Sequence, residues 1–240
     1  MPRRAADVPD SDVAAGPAPT HAPAPAPAPA PTPAETAVTG YALVLPTGWR
    51  RIPVQSGTKA AIRGITADIL RRFPEVSRDK LTPYRIELER RLSDLARQAR
   101  SAGGLDLYVP VEYVHGTAVP ASFVVSQVTL PVGAPDDATA TADPAEVIAA
   151  VTAANDSARP VVVDGARAVR TEHVAGPDPA QEIQAGSRRA DYMIPLPGRA
   201  DRWLVATFST IGDGDPEGDF ARLLVELFDA IMLTFRWSAT

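Results

Sequence analysis

The chain of 240 residues contains no cysteine and only two lysines, Lys59 and Lys80. The missing thiols exclude disulfide bonds, thiolate nucleophiles and thiolate metal ligands. Lysine and arginine together number 24, so arginine carries nearly all of the positive charge. Together with the abundant alanine, proline and glycine, this bias is typical of a high-GC bacterial genome and indicates no particular chemistry.

The chain also lacks the features of a membrane, secreted or nucleic-acid-binding protein. Its net charge of −5 favours neither nucleic acid nor an anionic membrane as a partner. Residues 1–16 start basic but do not reach the apolar core of a secretory signal. No apolar run approaches the ~18 residues of a membrane span. The expected location is therefore the cytoplasm.

The sequence divides into two unlike parts. Residues 17–34 read PAPTHAPAPAPAPAPTPA and offer no large aliphatic or aromatic side chain for burial. We expect residues 1–36 to form a disordered Pro/Ala-rich tail, in which the alternating prolines favour polyproline II. Such a tail serves as a passive spacer or as a ligand for an aromatic-lined groove. Residues 37–240 are expected to form a single domain, since their length and apolar content support one core.

Four segments of the domain show the apolar spacing of amphipathic helices: 58–73, 83–102, 144–155 and 216–237. The second is expected to begin at Pro83 with Thr82 as its N-cap. Its predicted buried stripe consists of Tyr84, Leu88, Leu92, Leu95 and Ala99. Asp143 and Glu146 form a capping box before the third helix, and Asp215 is expected to cap the fourth.

Six further segments are expected to be strands: 41–45, 105–114, 121–130, 161–174, 189–196 and 203–209. Residues 115–118 are short enough for a hairpin turn, and the fourth strand is expected to kink at Gly165. Both faces of 203–209 are mostly apolar, which predicts a central strand covered on two sides. The order of elements predicts an α+β fold with a largely antiparallel β-sheet and helices on both faces, an α/β/α sandwich.

The two ends of the domain resemble a known group. The opening YALVLPTGW at 41–49 and the closing RWLVATFST and FARLLVELFDAIMLTFRW are similar to the PsbP-like superfamily. In that group a strand ending in Pro-x-Gly-Trp leads an α/β/α sandwich and a long helix ends it. The resemblance implies a binding or scaffolding protein, and it transfers no functional residue to this chain.

No catalytic or metal-binding motif emerges from the sequence. The histidines are His21, His115 and His173, and no G-x-S-x-G or phosphate-binding loop accompanies them. The acidic loop at 213–219 resembles the first half of an EF-hand. Its twelfth position is Leu224, however, where a calcium site needs a bidentate glutamate. No catalytic residue, cofactor site or metal site is therefore predicted.

Three residues are candidates for contacts with a partner or a groove. Trp49 follows the turn residues Pro46 and Gly48, whereas Arg188 and Arg189 lie together beside Asp191. The two arginines could bind an acidic partner through their positive charge. The alternative interpretation is a surface cluster at the start of a strand without a binding role.

Three functional hypotheses follow. The first is a non-enzymatic protein-interaction or scaffolding module with an unknown protein partner. The second is a small-molecule or lipid carrier, with a pocket between sheet and helices lined by residues such as Trp49 and Phe123. The third is a hydrolase of unfamiliar pattern, which requires a histidine within reach of a serine or a carboxylate.

Overall fold

The computed structural model of the chain describes residues 38–112, 119–130, 143–177 and 186–239. The predicted tail with His21 and the predicted hairpin turn with His115 lie outside these ranges. The division into a tail at 1–36 and one domain at 37–240 stays a prediction.

The described residues form nine strands and four helices. In chain order they are β1 (Val38–Ala42), β2 (Trp49–Pro53), α1 (Thr58–Leu70), α2 (Arg78–Ser101), β3 (Gly104–Pro110), β4 (Ala121–Thr129), α3 (Pro144–Ala154), β5 (Arg159–Val163), β6 (Ala166–Ala175), β7 (Ser187–Leu196), β8 (Arg199–Thr210), α4 (Asp219–Leu233) and β9 (Arg236–Ala239). Seven strands form one antiparallel sheet in the order β2-β3-β4-β8-β7-β6-β5. β1 and β9 pair in a separate two-stranded ribbon.

The sheet is covered by helices on both faces, as the sequence predicts. Successive residues of a strand point to opposite faces, so Phe208 of β8 packs against α4, whereas Trp203 packs against α3. α1 and α2 cover β2 and β3 on the same face as α3. β8 is the fourth of the seven strands, which confirms the prediction that it is central. The fold class, α+β with an antiparallel sheet, is confirmed.

Aromatic rings fill the space between α4 and the sheet. The Phe123 ring lies 4.3 Å from the ring of Tyr108 and 5.4 Å from that of Phe228, measured between centroids. Phe208 stacks on Phe228 at 5.0 Å. Burying each such ring stabilises the fold by about 1.5–3 kcal/mol. The largest buried apolar cluster of the described residues therefore lies on the α4 side of the sheet, and two smaller clusters lie on the other face.

The segment expected to be one kinked strand at 161–174 is a hairpin. β5 and β6 are antiparallel neighbours joined by Asp164 and Gly165, whose φ angles are 47° and 76°. Two consecutive residues with positive φ form the type I′ turn that Asp-Gly favours. The prediction of a kink was wrong because valines on both sides of the turn read as one continuous apolar run.

α2 begins five residues earlier than predicted. The backbone amides of Lys80 and Leu81 both donate to the Ser77 carbonyl oxygen, at 3.0 and 3.2 Å. The helix starts at Arg78 and contains Pro83. The expected N-cap at Thr82 was wrong, because a proline close to an exposed helix start removes one backbone hydrogen bond without ending the helix.

The last helix is shorter than predicted at both ends. α4 covers Asp219–Leu233, and the Asp215 carboxylate accepts a hydrogen bond of 2.9 Å from the Glu217 amide in a turn before it. Asp215 is therefore not the N-cap. Trp237 belongs to β9 and pairs with Tyr41, because strand pairing ends the apolar helical period. At α3, by contrast, Asp143 caps the helix as predicted and accepts from the Ala145 amide at 2.9 Å.

Within the described ranges, no helix is both long enough and apolar enough to cross a bilayer.

Candidate functional site

The helical pair α1–α2 is buried at one end and exposed at the other. Near the sheet, residues of both helices are buried: Ile62, Ile65, Leu92, Ala96 and Ala99. Toward the connection at 71–77 burial falls, and Phe73 and Tyr84 are 49% and 71% exposed. We call residues 67–86 the hairpin tip. Val76 and Ile86 of the tip are exposed as well.

The buried face of α2 differs from the predicted stripe in two residues. Leu92, Ala96 and Ala99 are buried, and Leu88 is partly buried. Tyr84 and Leu95 were expected to join them, but both side chains are exposed. Tyr84 lies before the part of α2 that packs on the sheet, whereas in the packed part Ala96 is buried where Leu95 was expected.

A cavity of about 470 Å³ opens at the hairpin tip between the end of α1 and the start of α2. Its walls are mostly apolar and comprise Ala67, Leu70, Phe73, Pro74, Val76 and Leu81, with Arg71, Thr82 and Arg85 completing the lining. We call this cavity the tip groove. Its volume falls within the about 300–1,000 Å³ of typical ligand sites, so it can receive apolar side chains of another molecule.

Two arginines, Arg71 and Arg85, lie at the edge of the tip groove. Residues 71–85 contain five basic and two acidic residues, in a chain whose net charge is −5. Arg71 forms an ion pair with Asp68 of α1. Arg85 is exposed, and in the part of the chain that the structure describes no ion pair engages it. An apolar groove with free positive charge at its edge favours an occupant that carries acidic groups.

A second cluster of charges lies where β6 and β7 meet α4. Arg170 is 3% exposed and donates to Asp229 through Nε at 2.7 Å and through Nη2 at 3.0 Å. The same Nη2 donates to Glu172 at 2.7 Å, and the Tyr192 hydroxyl donates to Asp229 at 2.8 Å. Burial acts to lower the pKa of Arg170, but its hydrogen bonds to Asp229 and Glu172 outweigh burial and hold that pKa above its ordinary value.

The two arginines that the sequence singled out lie on opposite faces of the sheet. Arg188 donates to Glu172 at 2.7 Å on the α4 side. Arg189 is exposed and pairs across the strands with His173 on the other side. Asp191 shares the face of Arg189, because side chains alternate along β7. Arg188 therefore belongs to the buried charge cluster, whereas Arg189 is part of an open polar surface.

Trp49, the third candidate, is a core residue. It is 4% exposed, and its ring lies 5.6 Å from that of Phe123. Phe123 is itself fully buried between Tyr108 and Phe228. The place where the sequence predicted a carrier pocket is thus occupied by packed rings.

A buried carboxylate joins the β1–β9 ribbon to the sheet. Asp106 accepts hydrogen bonds from the Tyr41 hydroxyl at 2.5 Å and from Arg51 Nε at 2.7 Å. The hydroxyl oxygens of Tyr41 and Tyr108 lie 3.0 Å apart. Burial raises the pKa of both tyrosines, and the nearby Asp106 adds to that shift. This cluster satisfies its own polar groups and stabilises the fold.

The residues considered for catalysis do not converge in the described structure. His173 is exposed, and its imidazole forms neither a hydrogen bond nor an ion pair with any described residue. No group of three or more histidine, aspartate and glutamate side chains placed to hold a metal occurs among the described residues. In the acidic loop, Asp219 accepts from Arg222 at 2.6 Å, so its carboxylate is already paired.

No protein-family model, no curated protein and no solved structure matches the chain. The resemblance to the PsbP-like superfamily stays a prediction.

Proposed function

We propose that this chain is a non-enzymatic protein-interaction module that binds its partner through the tip groove. The observation that carries the proposal is the exposed apolar lining of that groove. Phe73, Val76 and Leu81 lie at the end of a helical pair whose other end is well packed. Apolar surface of this kind with a polar rim marks sites of protein interaction.

The chemistry of the groove defines the partner segment. It is a short amphipathic helix that inserts large apolar side chains and carries aspartate or glutamate beside them. Each apolar side chain that is fully buried contributes about 1.5–3 kcal/mol. An exposed ion pair with Arg85 contributes about 0–1 kcal/mol. The apolar anchors therefore set the affinity, and the basic rim selects among sequences and speeds association.

The composition of the chain supports a proposal for the kind of partner and for the location of the protein. The net charge of −5 supports a protein partner over nucleic acid. We place the protein in the cytoplasm, with the Pro/Ala-rich residues 1–36 as a tether between the domain and other components. The carrier hypothesis expected a pocket lined by Trp49 and Phe123, whose rings pack against each other in the core. The hydrolase hypothesis expected a histidine within reach of a serine or a carboxylate, and the imidazole of His173 has no such hydrogen bond among the described residues.

Selection of displayed helical peptides against the immobilised full-length chain tests the proposal. We expect enrichment of peptides with two or more large apolar residues on one face and acidic residues beside them. Counter-selection uses a variant with Phe73→Ser and Val76→Ser, and the matched control is Leu223→Ser, which changes an exposed apolar residue of α4.

The double change at the tip should abolish enrichment, and Leu223→Ser should preserve it. Enrichment that persists in the tip variant, or no enrichment by the unmodified chain, overturns the proposal.

A further inference from the structure

Three guanidinium groups meet at an open cavity of about 360 Å³ on the α4 side of the sheet. Its lining consists of Ser157, Arg159, Arg170, Glu172, His173, Val174 and Arg188. We call it the arginine cleft. It is built from the β5–β6 hairpin, the segment before β5 and the start of β7, so it is separate in sequence from the tip groove.

Two of the three arginines have little hydrogen-bonding capacity left for another molecule. Nε and Nη2 of Arg170 donate hydrogen bonds to the carboxylates of Asp229 and Glu172. Arg188 is held by Glu172 through Nε at 2.7 Å and through Nη2 at 2.5 Å, and its Nη1 makes only a long contact of 3.4 Å to the Pro216 carbonyl oxygen. Glu172 thus bridges Arg170 and Arg188 and fixes the position of the Arg188 guanidinium at the cleft.

Arg159 is the least engaged of the three. Its side chain is 59% exposed, and its nearest carboxylate is Asp229, with a distance of 3.7 Å from Nη2 to Oδ2. Among the described residues, no hydrogen bond engages its guanidinium. Three guanidiniums face the two carboxylates of Glu172 and Asp229. One positive charge is therefore uncompensated at the cleft.

We propose that the arginine cleft binds a small oxyanion, a carboxylate or a phosphate group, held by Arg159 and by Nη1 of Arg188. The guanidinium fork matches both groups, because each presents two oxygens to two parallel N–H donors. Arg170 is a positioning residue that acts through Glu172. A small organic acid and a phosphate-bearing metabolite share this chemistry, and the test below separates them.

Isothermal titration calorimetry of the full-length chain with succinate, inorganic phosphate and chloride, at constant ionic strength, tests this proposal. We expect saturable binding of succinate or phosphate and none of chloride. Binding of succinate alone assigns the cleft to carboxylates, and binding of phosphate alone assigns it to phosphate groups.

Variants at Arg159 test whether the anion binds in the arginine cleft. Arg159→Gln should weaken the binding at least tenfold, whereas Arg159→Lys, which keeps the charge without the fork, should have a smaller effect. The matched control is Arg199→Gln, a change of an exposed arginine at the β7–β8 turn. The melting temperatures without ligand report that each variant folds. Absence of saturable binding by both oxyanions, or binding that Arg159→Gln leaves unchanged, overturns the proposal.

Discussion

Arg170 of β6 and Asp229 of α4 form a bidentate ion pair, with Nε–Oδ1 and Nη2–Oδ2 distances of 2.7 and 3.0 Å. The residues lie 59 positions apart in the chain. Most of the interface between α4 and the sheet consists of aromatic rings, and this charged pair lies at its edge. Arg170 is almost completely shielded from solvent. It therefore fixes the position of α4 along the sheet as well as closing that end of the core.

Removal of one member of this pair should destabilise the domain. Arg170→Met leaves Asp229 without its main partner, and breaking a buried pair costs about 3–5 kcal/mol. Since Asp229 is partly exposed, we expect a loss near the lower end, about 3 kcal/mol, in urea unfolding. Arg97→Met, at an exposed ion pair of α2, is the control, and its effect should stay below about 1 kcal/mol.

The double variant Arg170→Met with Asp229→Leu separates pairing from burial. It should recover part of the stability, because it removes the unpaired charge that the single variant leaves. Equal losses for Arg170→Met and the exposed control would contradict the structural role given to the pair.

The aromatic core should be sensitive at Phe228. The ring is fully buried and lies 5.4 and 5.0 Å from the rings of Phe123 and Phe208. Phe228→Ala should reduce the free energy of unfolding by about 3–5 kcal/mol, since it removes buried area and leaves a cavity. Leu223→Ala, on the exposed side of the same helix, should change it by less than about 1 kcal/mol. A similar effect of both changes would refute the placement of α4.

Stability should fall in alkaline solution because of Tyr41. Burial first, then Tyr108 and Asp106, raise the pKa of Tyr41 above its ordinary value of 10.0. The unfolded chain therefore releases this proton at lower pH than the folded chain. The stabilisation is complete below pH 10 and is lost as the pH rises above it.

Tyr41→Phe measures that contribution. Loss of the hydrogen bond to Asp106 should cost about 1–2 kcal/mol at pH 7, and the decline in stability above pH 10 should become shallower. Tyr84→Phe, at an exposed residue of the hairpin tip, should leave the slope unchanged. Identical slopes for the unmodified chain and Tyr41→Phe would show that Tyr41 ionises equally in both states.

Glu172 should contribute to the acid limb of the stability profile. Burial acts to raise the pKa of Glu172, but hydrogen bonds from Arg170 and Arg188 outweigh it and lower that pKa below its ordinary value of 4.5. The stabilisation is present above pH 4.5 and is lost as the pH falls through the lowered pKa. Chemical unfolding between pH 6 and pH 3 should show a shallower loss in Glu172→Gln than in Glu226→Gln, a change of an exposed acid in α4. Parallel curves would argue against the bridge between the two arginines.

The sequence predicted those parts of the fold that depend on local pattern. The apolar residues on both faces of 203–209 predicted the central strand, and Asp143 with Pro144 predicted the start of α3. These features are local, because strand alternation and helix capping involve residues within a few positions of one another.

The errors lie where distant residues decide the structure. β9 ends the apolar helical period because it pairs with β1 at the other end of the domain, Val38 opposite Ala239. The exposure of Tyr84 depends on how far the sheet extends beneath α2. The pairing of Arg170 with Asp229 has no sequence signal, since each residue is an ordinary charge in its own segment.

Only part of the candidate site could be predicted from the sequence. The predicted amphipathic helix at 58–73 included Phe73, but α1 ends at Leu70 and the Phe73 side chain is exposed in the connection to α2. The excess of basic residues at 71–85 was visible in the sequence, and the groove it borders was not. A local excess of basic residues indicates a binding site only when an apolar cavity lies beside it.

A nuclear magnetic resonance titration of the ¹⁵N-labelled full-length chain with a peptide enriched in the selection shows whether the peptide binds in the tip groove. We expect the largest amide shift changes within residues 67–86, and we expect them to disappear in the variant with Phe73→Ser and Val76→Ser. Changes centred on the arginine cleft or on the outer face of α4, with the tip unaffected, would contradict this expectation.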